Sequence, residues 1–277
     1  MNVDKSQILS EGQALGADDI AIVGADEADG NSIIVLFSRY YAAPKPQAGF
    51  MQLSPYYAAS NRGYHAAKKL TAHLISLGAK AVHDTNIDAK AAALKSGGHI
   101  GENGFYYHSE FGSLVNLQTI VTDAVTPDEM KENDSACLNC GACFAACPSD
   151  AVDNVKNCLR YHSNSLVPRH LAGDLYQLFG CERCQTACPQ NSAEQRETQQ
   201  FRTDELIGGG HVSELKELAG SNMARANRIS SQATLYAANA GQAKLITQLE
   251  ELANTAPSPT REHALWAIER LKGGPHD

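Results

Sequence analysis

The sequence predicts an α+β protein built from three consecutive parts. Short β-rich runs alternate with helical segments over residues 1–125. All eight cysteines fall between positions 137 and 188. Residues 213–273 read as one amphipathic helix after another. At roughly 100–200 residues per domain, 277 residues make one large domain or two to three small ones. Apolar residues are 43% and charged residues 19%, enough to bury a core, which excludes a disordered chain and a disulfide-stapled mini-protein. The formal net charge of −8 does not advertise nucleic acid over the whole surface. No apolar run reaches the ~18 residues of a membrane span. The start, MNVDKSQILSEGQALGADD, lacks the basic and apolar regions of a secretory signal, so no membrane association and a cytoplasmic location are expected.

In the first part, Ile8, Leu9 and Leu15 sit at helical spacing within 4–15, with Gly16 as the stop. Asp19–Val23 and Ile33–Phe37 are strand-like runs between Gly/Asp turns. Tyr64–Leu77 has apolar residues at 66, 67, 70, 74, 75 and 77, then Gly78, the pattern of a capped helix. Ala81–His83 starts a strand, Ile87–Leu94 is an Ala-rich helix, and Leu114–Val121 is a further strand. Gly97, Gly98, Gly101 and Gly104 make a flexible or tightly turned loop. This alternation points to an α/β layer. Residues 193–212, polar and ending in Gly208-Gly209-Gly210, read as a linker. The segments HVSELKELAGS, SSQATLYAANAG, QAKLITQLEELANT and PTREHALWAIERLKG follow, with Leu265 and Trp266 in the core of the last. That is a helical-hairpin layout of the HEAT kind.

The middle part carries the chemistry. It reads CLNCGACFAACP, a single Cys158, then CERCQTACP. The first run is C-x2-C-x2-C-x3-C-P, and the second, C-x2-C-x3-C-P, echoes its end. Close spacing aims successive thiolates at one cubane, while the Cys after three intervening residues leads away and ligates the other cluster, as in two-cluster ferredoxins. Eight thiolates at four per cluster make two [4Fe–4S] clusters. Crossing the runs assigns Cys137, Cys140, Cys143 and Cys188 to one, and Cys147, Cys158, Cys181 and Cys184 to the other. Zinc ribbons also use C-x2-C pairs, but do not call for seven of eight cysteines in two such echoes. Disulfides do not suit a chain without a secretory signal.

The text CLNCGACFAACPSDAV, CLRY and LFGCERCQTACPQN, including Gly180, Gln185 and Asn191, resembles the epoxyqueuosine reductase family. These are two-cluster, cobalamin-dependent tRNA-modifying enzymes related to reductive dehalogenases. RGYHAAKKLTAHLISLG resembles the family helix with a Tyr-His pair, here Tyr64 and His65. EFGSLVNLQTIVTD resembles the strand entering the cluster module. The resemblance implies a nitroreductase-like α/β domain over 1–125 that binds cobalamin, a double-cluster ferredoxin-like module over 126–192, and a linker with a HEAT-like, tRNA-contacting tail over 193–277. It makes Asp84 the proton donor and Tyr64, Gly97, Gly101, Tyr106, Ser113 and Leu117 the cofactor-binding candidates. It requires none of His65, His83, His99 or His108 as a cobalt ligand. Arg225, Arg228 and Arg261 are candidates for RNA phosphates.

There are departures. Gly24 to Ile33 is a short turn where the family has a substrate-covering segment. Thr85-Asn86-Ile87 and Ala89-Lys90-Ala91 replace family motifs after the Asp, and Glu102 stands where the family has Lys. The implied function is reduction of the epoxide of epoxyqueuosine in tRNA, fed by a low-potential flavodoxin or ferredoxin. The alternatives are a two-cluster electron carrier without its own substrate, or a cobalamin-binding reductase acting on another substrate or protein.

Overall fold

The computed structural model describes residues 3–25, 31–131 and 136–273. The chain folds into two compact units, each assembled from separated segments. One comprises 1–41, 59–141 and 187–193; the other comprises 42–58, 142–186 and 194–277. Residues 42–58 therefore pack with the helical end rather than with the N-terminal segment that surrounds them in sequence.

The first unit is organised by the strand Ser32–Arg39, seven of whose eight residues are buried. Its run SIIVLFS is apolar on both faces, as a strand covered on both sides must be. Ile34 and Leu36 enter a core with Ile8, Leu70 and Leu74. Ile33, Val35 and Phe37 enter a second core with Ala93, Tyr106 and Phe111. The four-stranded sheet runs in the order Asp19–Gly24, Ser32–Arg39, Val115–Thr122, Ala81–His83. Every pairing is antiparallel. The expectation of an α/β layer is corrected here: the first two strands are neighbours in sequence and pair directly, so no crossover helix sets them parallel. The short turn expected between Gly24 and Ile33 falls largely on residues 26–30, outside the described residues.

The helix Lys5–Ala14 is capped by Asp4, whose carboxylate accepts the Ser6 N–H at 2.9 Å. The long helix begins at Pro55, nine residues before the expected Tyr64, and runs to Ser76. Proline at its first position needs no donor there. The Ala-rich helix is Ala89–Leu94, started by Asp88. The Gly-rich segment is no loose loop: His99–Ile100 pairs with Tyr106–Tyr107. Gly98 sits at φ +83°, and a Cβ there would lie 2.3 Å from the Tyr107 carbonyl oxygen, so the hairpin can close only on a glycine.

At the start of the sheet, Asp19 meets His108. The backbone N–H groups of Glu110 and Phe111 donate to Nδ1 of His108, leaving Nε2 to donate to Asp19 at 3.0 Å. Burial raises the Asp19 pKa, but the His108 hydrogen bond and the Ile20 N–H outweigh it, so the carboxyl is held below its ordinary value.

In the second unit, Phe50–Gln52 pairs antiparallel with Gln200–Arg202. The stretch 193–212, expected to be a linker, thus carries a strand and the helix Thr203–Ile207. Phe201, Leu206 and Ile207 are buried, each contributing about 1.5–3 kcal/mol, and they were masked by polar neighbours. The helices Val212–Ala219, Ala226–Asn239, Ile246–Thr255 and Thr260–Leu271 follow. Ala226–Asn239 is central, with residues 229–238 all buried. His263 donates from Nε2 to the Val167 carbonyl at 3.0 Å and accepts from Ser231 at 2.6 Å, and burial lowers its pKa. Leu265 is 51% exposed, a correction to its expected core position. Ala264 and Ala267 turn inward instead. No helix among the described residues is long and apolar enough to cross a membrane.

Two outcomes follow from the first unit. Gly98→Ala should cost about 2–4 kcal/mol, since it adds both the strain of a positive φ and a backbone clash, read from the urea midpoint. For Asp19, the lowered pKa means the stability of the pair is present above the ordinary carboxylate pKa of about 3.9. That stability is lost as pH falls through the lowered folded value. Asp19→Asn should therefore be less stable than wild type at neutral pH, with the difference closing in acid.

Candidate metal centre

The two cysteine echoes fold alike. In the first, Asn139 (φ 49°) and Gly141 (φ 71°) bend the loop, and Cys143 enters the four-residue helix Ala142–Ala145. In the second, Phe179 (φ 61°) and Gly180 (φ 102°) bend the chain before Cys181, and Cys184 enters the four-residue helix Arg183–Thr186. Phe179 tolerates its left-handed backbone because its ring is wholly buried and its N–H donates to Gln232 Oε1 at 2.8 Å.

Cys147, Cys158, Cys181 and Cys184 all lie in the second unit. Burial pushes the Cys184 thiol up to about 12. Negative charge on Cys181, Cys158 and Cys147 raises it further, against the pull of Arg160. Burial pushes Cys181 up to about 11, with Cys158 among the groups that oppose its ionisation. Four thiols thus sit within electrostatic reach of one another, a soft donor set whose thiolate forms need positive charge in their midst. No three His, Cys, Asp or Glu side chains among the described residues converge on the dimensions of a single metal ion. A four-iron cubane spreads its ligands wider than one ion does, and thiolates are the donors it takes. The Ala151 N–H donates to Cys147 Sγ at 3.2 Å, a contact of the kind that tunes cluster potential.

Cys137, Cys140 and Cys188 belong to the first unit, and Cys143 is counted in the second. Within the first, Gln190 Nε2 donates to the Ala136 carbonyl at 3.1 Å, which ties the chain beside Cys188 to the chain beside Cys137. The phenol of Tyr107 reaches Cys188. Burial, then this thiol, raises the Tyr107 pKa.

Two charged residues escaped the sequence reading. Glu182, between Cys181 and Cys184, is 3% exposed. Its carboxylate accepts hydrogen bonds from Ser54, from Gln177 and, at 3.4 Å, from Tyr176. Its own N–H donates to the Tyr176 hydroxyl at 2.9 Å. Burial raises its pKa, against the pull of Arg160 and these donors. Arg160 lies 3.4 Å from the Tyr56 ring centroid and donates to Gln185 at 2.9 Å. The signal was present in CERC and CLRY, where a charge stands beside a metal ligand.

The other expected site residues scatter. Asp84 follows the strand Ala81–His83. Its backbone N–H donates to the Thr119 carbonyl at 3.1 Å, and its carboxylate accepts the Asn86 N–H at 2.8 Å. The exposed ring of Tyr64 lies 5.2 Å from that of neighbouring His83. Leu117 is half-buried on its strand, and Gly97 stands at φ +105°, where a Cβ would lie 3.9 Å from that of Lys131. Tyr106 is buried, donates to the Gly97 carbonyl at 3.0 Å, and is pushed up to about 12 by burial. A Cβ on Gly101 would lie 2.6 Å from the Tyr107 ring. Ser113 is buried and doubly bonded to Asn191, at 2.7 and 2.9 Å, so the structure brings it to the Cys188 loop rather than to Asp84.

Residues 130–153 match the 4Fe-4S binding domain family. The chain is similar in sequence to epoxyqueuosine reductases: 27% identical over 208 residues to that of Lactococcus garvieae, covering 67% of this chain and 59% of that protein. It is 31% identical over 188 residues to that of Gloeobacter violaceus, covering 59% and 57%. The chain thus matches about three fifths of the length of these curated relatives. It shares the α+β fold of solved epoxyqueuosine reductases. The Bacillus subtilis enzyme, described with its catalytic aspartate loop swung out of the active site, superposes with a TM-score of 0.79 at 21% identity, over 96% of this chain and 90% of that one. The Streptococcus thermophilus enzyme superposes at 0.78 and 19%, over 100% and 92%. A structure solved with an epoxyqueuosine-modified tRNA stem loop superposes at 0.76 and 22%, over 96% and 90%.

Glu182→Ala should lower the unfolding free energy by about 2–4 kcal/mol, because Ser54, Gln177 and Tyr176 lose a buried acceptor. Anaerobic urea unfolding checks it, and an unmoved midpoint would refute the role given to this carboxylate.

Proposed function

We propose that the protein is a cobalamin-dependent iron–sulfur reductase that converts epoxyqueuosine in tRNA to queuosine. The carrying observation is the sulfur set. Four thiols are gathered in one unit, and the crossed pattern assigns the other four cysteines to a second cluster. On this reading the eight cysteines hold two [4Fe–4S] clusters, which supply one-electron transfer when bound. The epoxyqueuosine reductase relatives and the shared fold support the substrate. The nitroreductase-like and HEAT-like character of the chain's two ends, and its three-part division of labour, belong to the same reading. Eight cysteines without a disulfide suit the reducing cytoplasm.

Tyr64, Gly97 and Leu117 keep part of their surface uncovered to hold a corrin. Tyr106, Gly101 and Ser113 are committed to internal packing, so their part is to shape the wall behind it. Cobalamin, when bound, supplies the low-potential reductant at the substrate carbon. Reducing an epoxide to an alkene takes two electrons and two protons and releases water. Asp84 gives a proton to the departing oxygen. It stands at a strand end, on a turn braced by Thr119 and Asn86, much as the Bacillus subtilis enzyme's description places a catalytic aspartate on a loop. Asp84 is half exposed, and a proton donor works best under apolar cover, which bound cofactor and substrate provide. Arg225 and Arg228, candidates for RNA phosphates, line one cavity of about 510 Å³ with residues 257–260, and Arg261 is exposed on the next helix.

The half exposure of Asp84 also favours a second reading, an electron carrier without its own substrate. Titration of anaerobically reconstituted protein with cob(II)alamin separates the two: a base-off spectral shift is expected, and no binding at micromolar levels favours the carrier. The same protein should contain about eight iron and eight sulfide per chain. Asp84→Ala should slow turnover of an epoxyqueuosine-modified tRNA by about 10²–10⁴-fold with iron content unchanged. Undiminished turnover would end the assignment of Asp84.

A further inference from the structure

Beside the cysteines of the second unit lies an open cavity of about 1000 Å³ that the proposed reaction does not use. Lys45, Arg183 and Lys244 line it, and no carboxylate does, in a chain whose net charge is −8. Lys45 and Lys244 are exposed. Lys244 Nζ reaches within 3.6 Å of where a Cβ of Gly49 would stand, which places its ammonium over the proline-containing loop that carries Lys45. Arg183 is held over the Tyr176 ring at 4.6 Å, with Asp174 behind it at 3.9 Å. In sequence it lies between Cys181 and Cys184, so a partner resting on Arg183 is one or two residues from two ligands of the metal centre.

The same wall holds unmet acceptors. Gln52 Oε1, Asn239 Oδ1 and Gln242 Oε1 are buried without a hydrogen-bond partner. The orientation of Asn239 and Gln242 is set by their nitrogens. Asn239 Nδ2 donates to the Ala172 and Leu175 carbonyls at 2.8 and 2.9 Å, and Gln242 Nε2 donates to Thr203 Oγ1 at 3.1 Å. A buried polar atom left unpaired costs stability, and a native fold retains few of them.

We propose that this cavity is the docking site of the electron donor, an acidic one-electron carrier protein of the flavodoxin or ferredoxin class. The inference rests on the reading that Cys147, Cys158, Cys181 and Cys184 hold a cluster. Each encounter moves one electron from the reduced carrier to that iron. The carrier is oxidised by one electron, no bond breaks and no proton moves, and two encounters supply the pair an epoxide requires. Carboxylates of the carrier meet Lys45, Lys244 and Arg183, which steers association and fixes orientation. RNA is the poorer occupant. A phosphate has no need to lie beside a cluster ligand.

The test compares wild type with the double variant Lys45→Glu/Lys244→Glu, both full length and reconstituted. Iron and sulfide content is measured first and reads the cluster assignment by itself. Binding of an acidic flavodoxin is then followed by calorimetry at low and at physiological salt. Wild type should bind more weakly as salt rises, and the variant should lose roughly tenfold or more in affinity. The rate at which reduced flavodoxin bleaches the cluster absorbance should fall in parallel, while dithionite, which needs no docking, bleaches both proteins alike. Equal flavodoxin affinity in the two proteins, or no binding to either, overturns the proposal. Loss of tRNA stem-loop binding with flavodoxin binding intact overturns it too and assigns the cavity to RNA.

Discussion

Thiolates repel one another, and a fold that gathers four of them in a partly buried space must balance that charge. Cys184 shows the constraint directly, because burial and three other cysteines all oppose its ionisation. The surrounding residues answer it in two ways. Arg160 contributes a fixed positive charge, held flat against Tyr56 so that it cannot swing into solvent. The Ala151 N–H contributes a dipole at Cys147. Neither is worth a full unit of charge per thiolate, so the set calls for further positive charge in its midst.

Glu182 is the more demanding feature, since a carboxylate between two ligands adds negative charge where positive charge is needed. Its burial is tolerable only because donors surround it and Arg160 stands nearby. Ser54, immediately before the long helix, and Gln177 and Tyr176, just before the second cysteine run, converge on this one group. That convergence fixes the cysteine loop to both chain segments.

In the first unit the corresponding constraint is the doubly covered strand Ser32–Arg39. With a core on each face, its register leaves no freedom, since a slip of one residue would exchange the two cores. The pairing passes through Val115–Thr122 to Ala81–His83, so the position of Asp84 is inherited from a strand two places away. The glycines after it are explained by the hairpin: Gly98 and Gly101 are small because Tyr107 occupies the space their side chains would need.

The sequence by itself determined the sulfur chemistry, the helical end and most strands of the first unit, because spacing, periodicity and apolar runs are local properties of a chain. It showed that Ile33–Phe37 would be a strand and that CERCQTACP echoes the end of CLNCGACFAACP. It could not show that Phe50–Gln52 would find Gln200–Arg202, about 150 residues away, because three-residue strands carry no periodicity to read. It gave Glu182 and Arg160 no part, placed Leu265 in the core, and left Tyr64 and Tyr106 as equivalent candidates. Only the tertiary structure sorted these, since burial and hydrogen-bond partners are fixed by what packs against a residue from elsewhere in the chain.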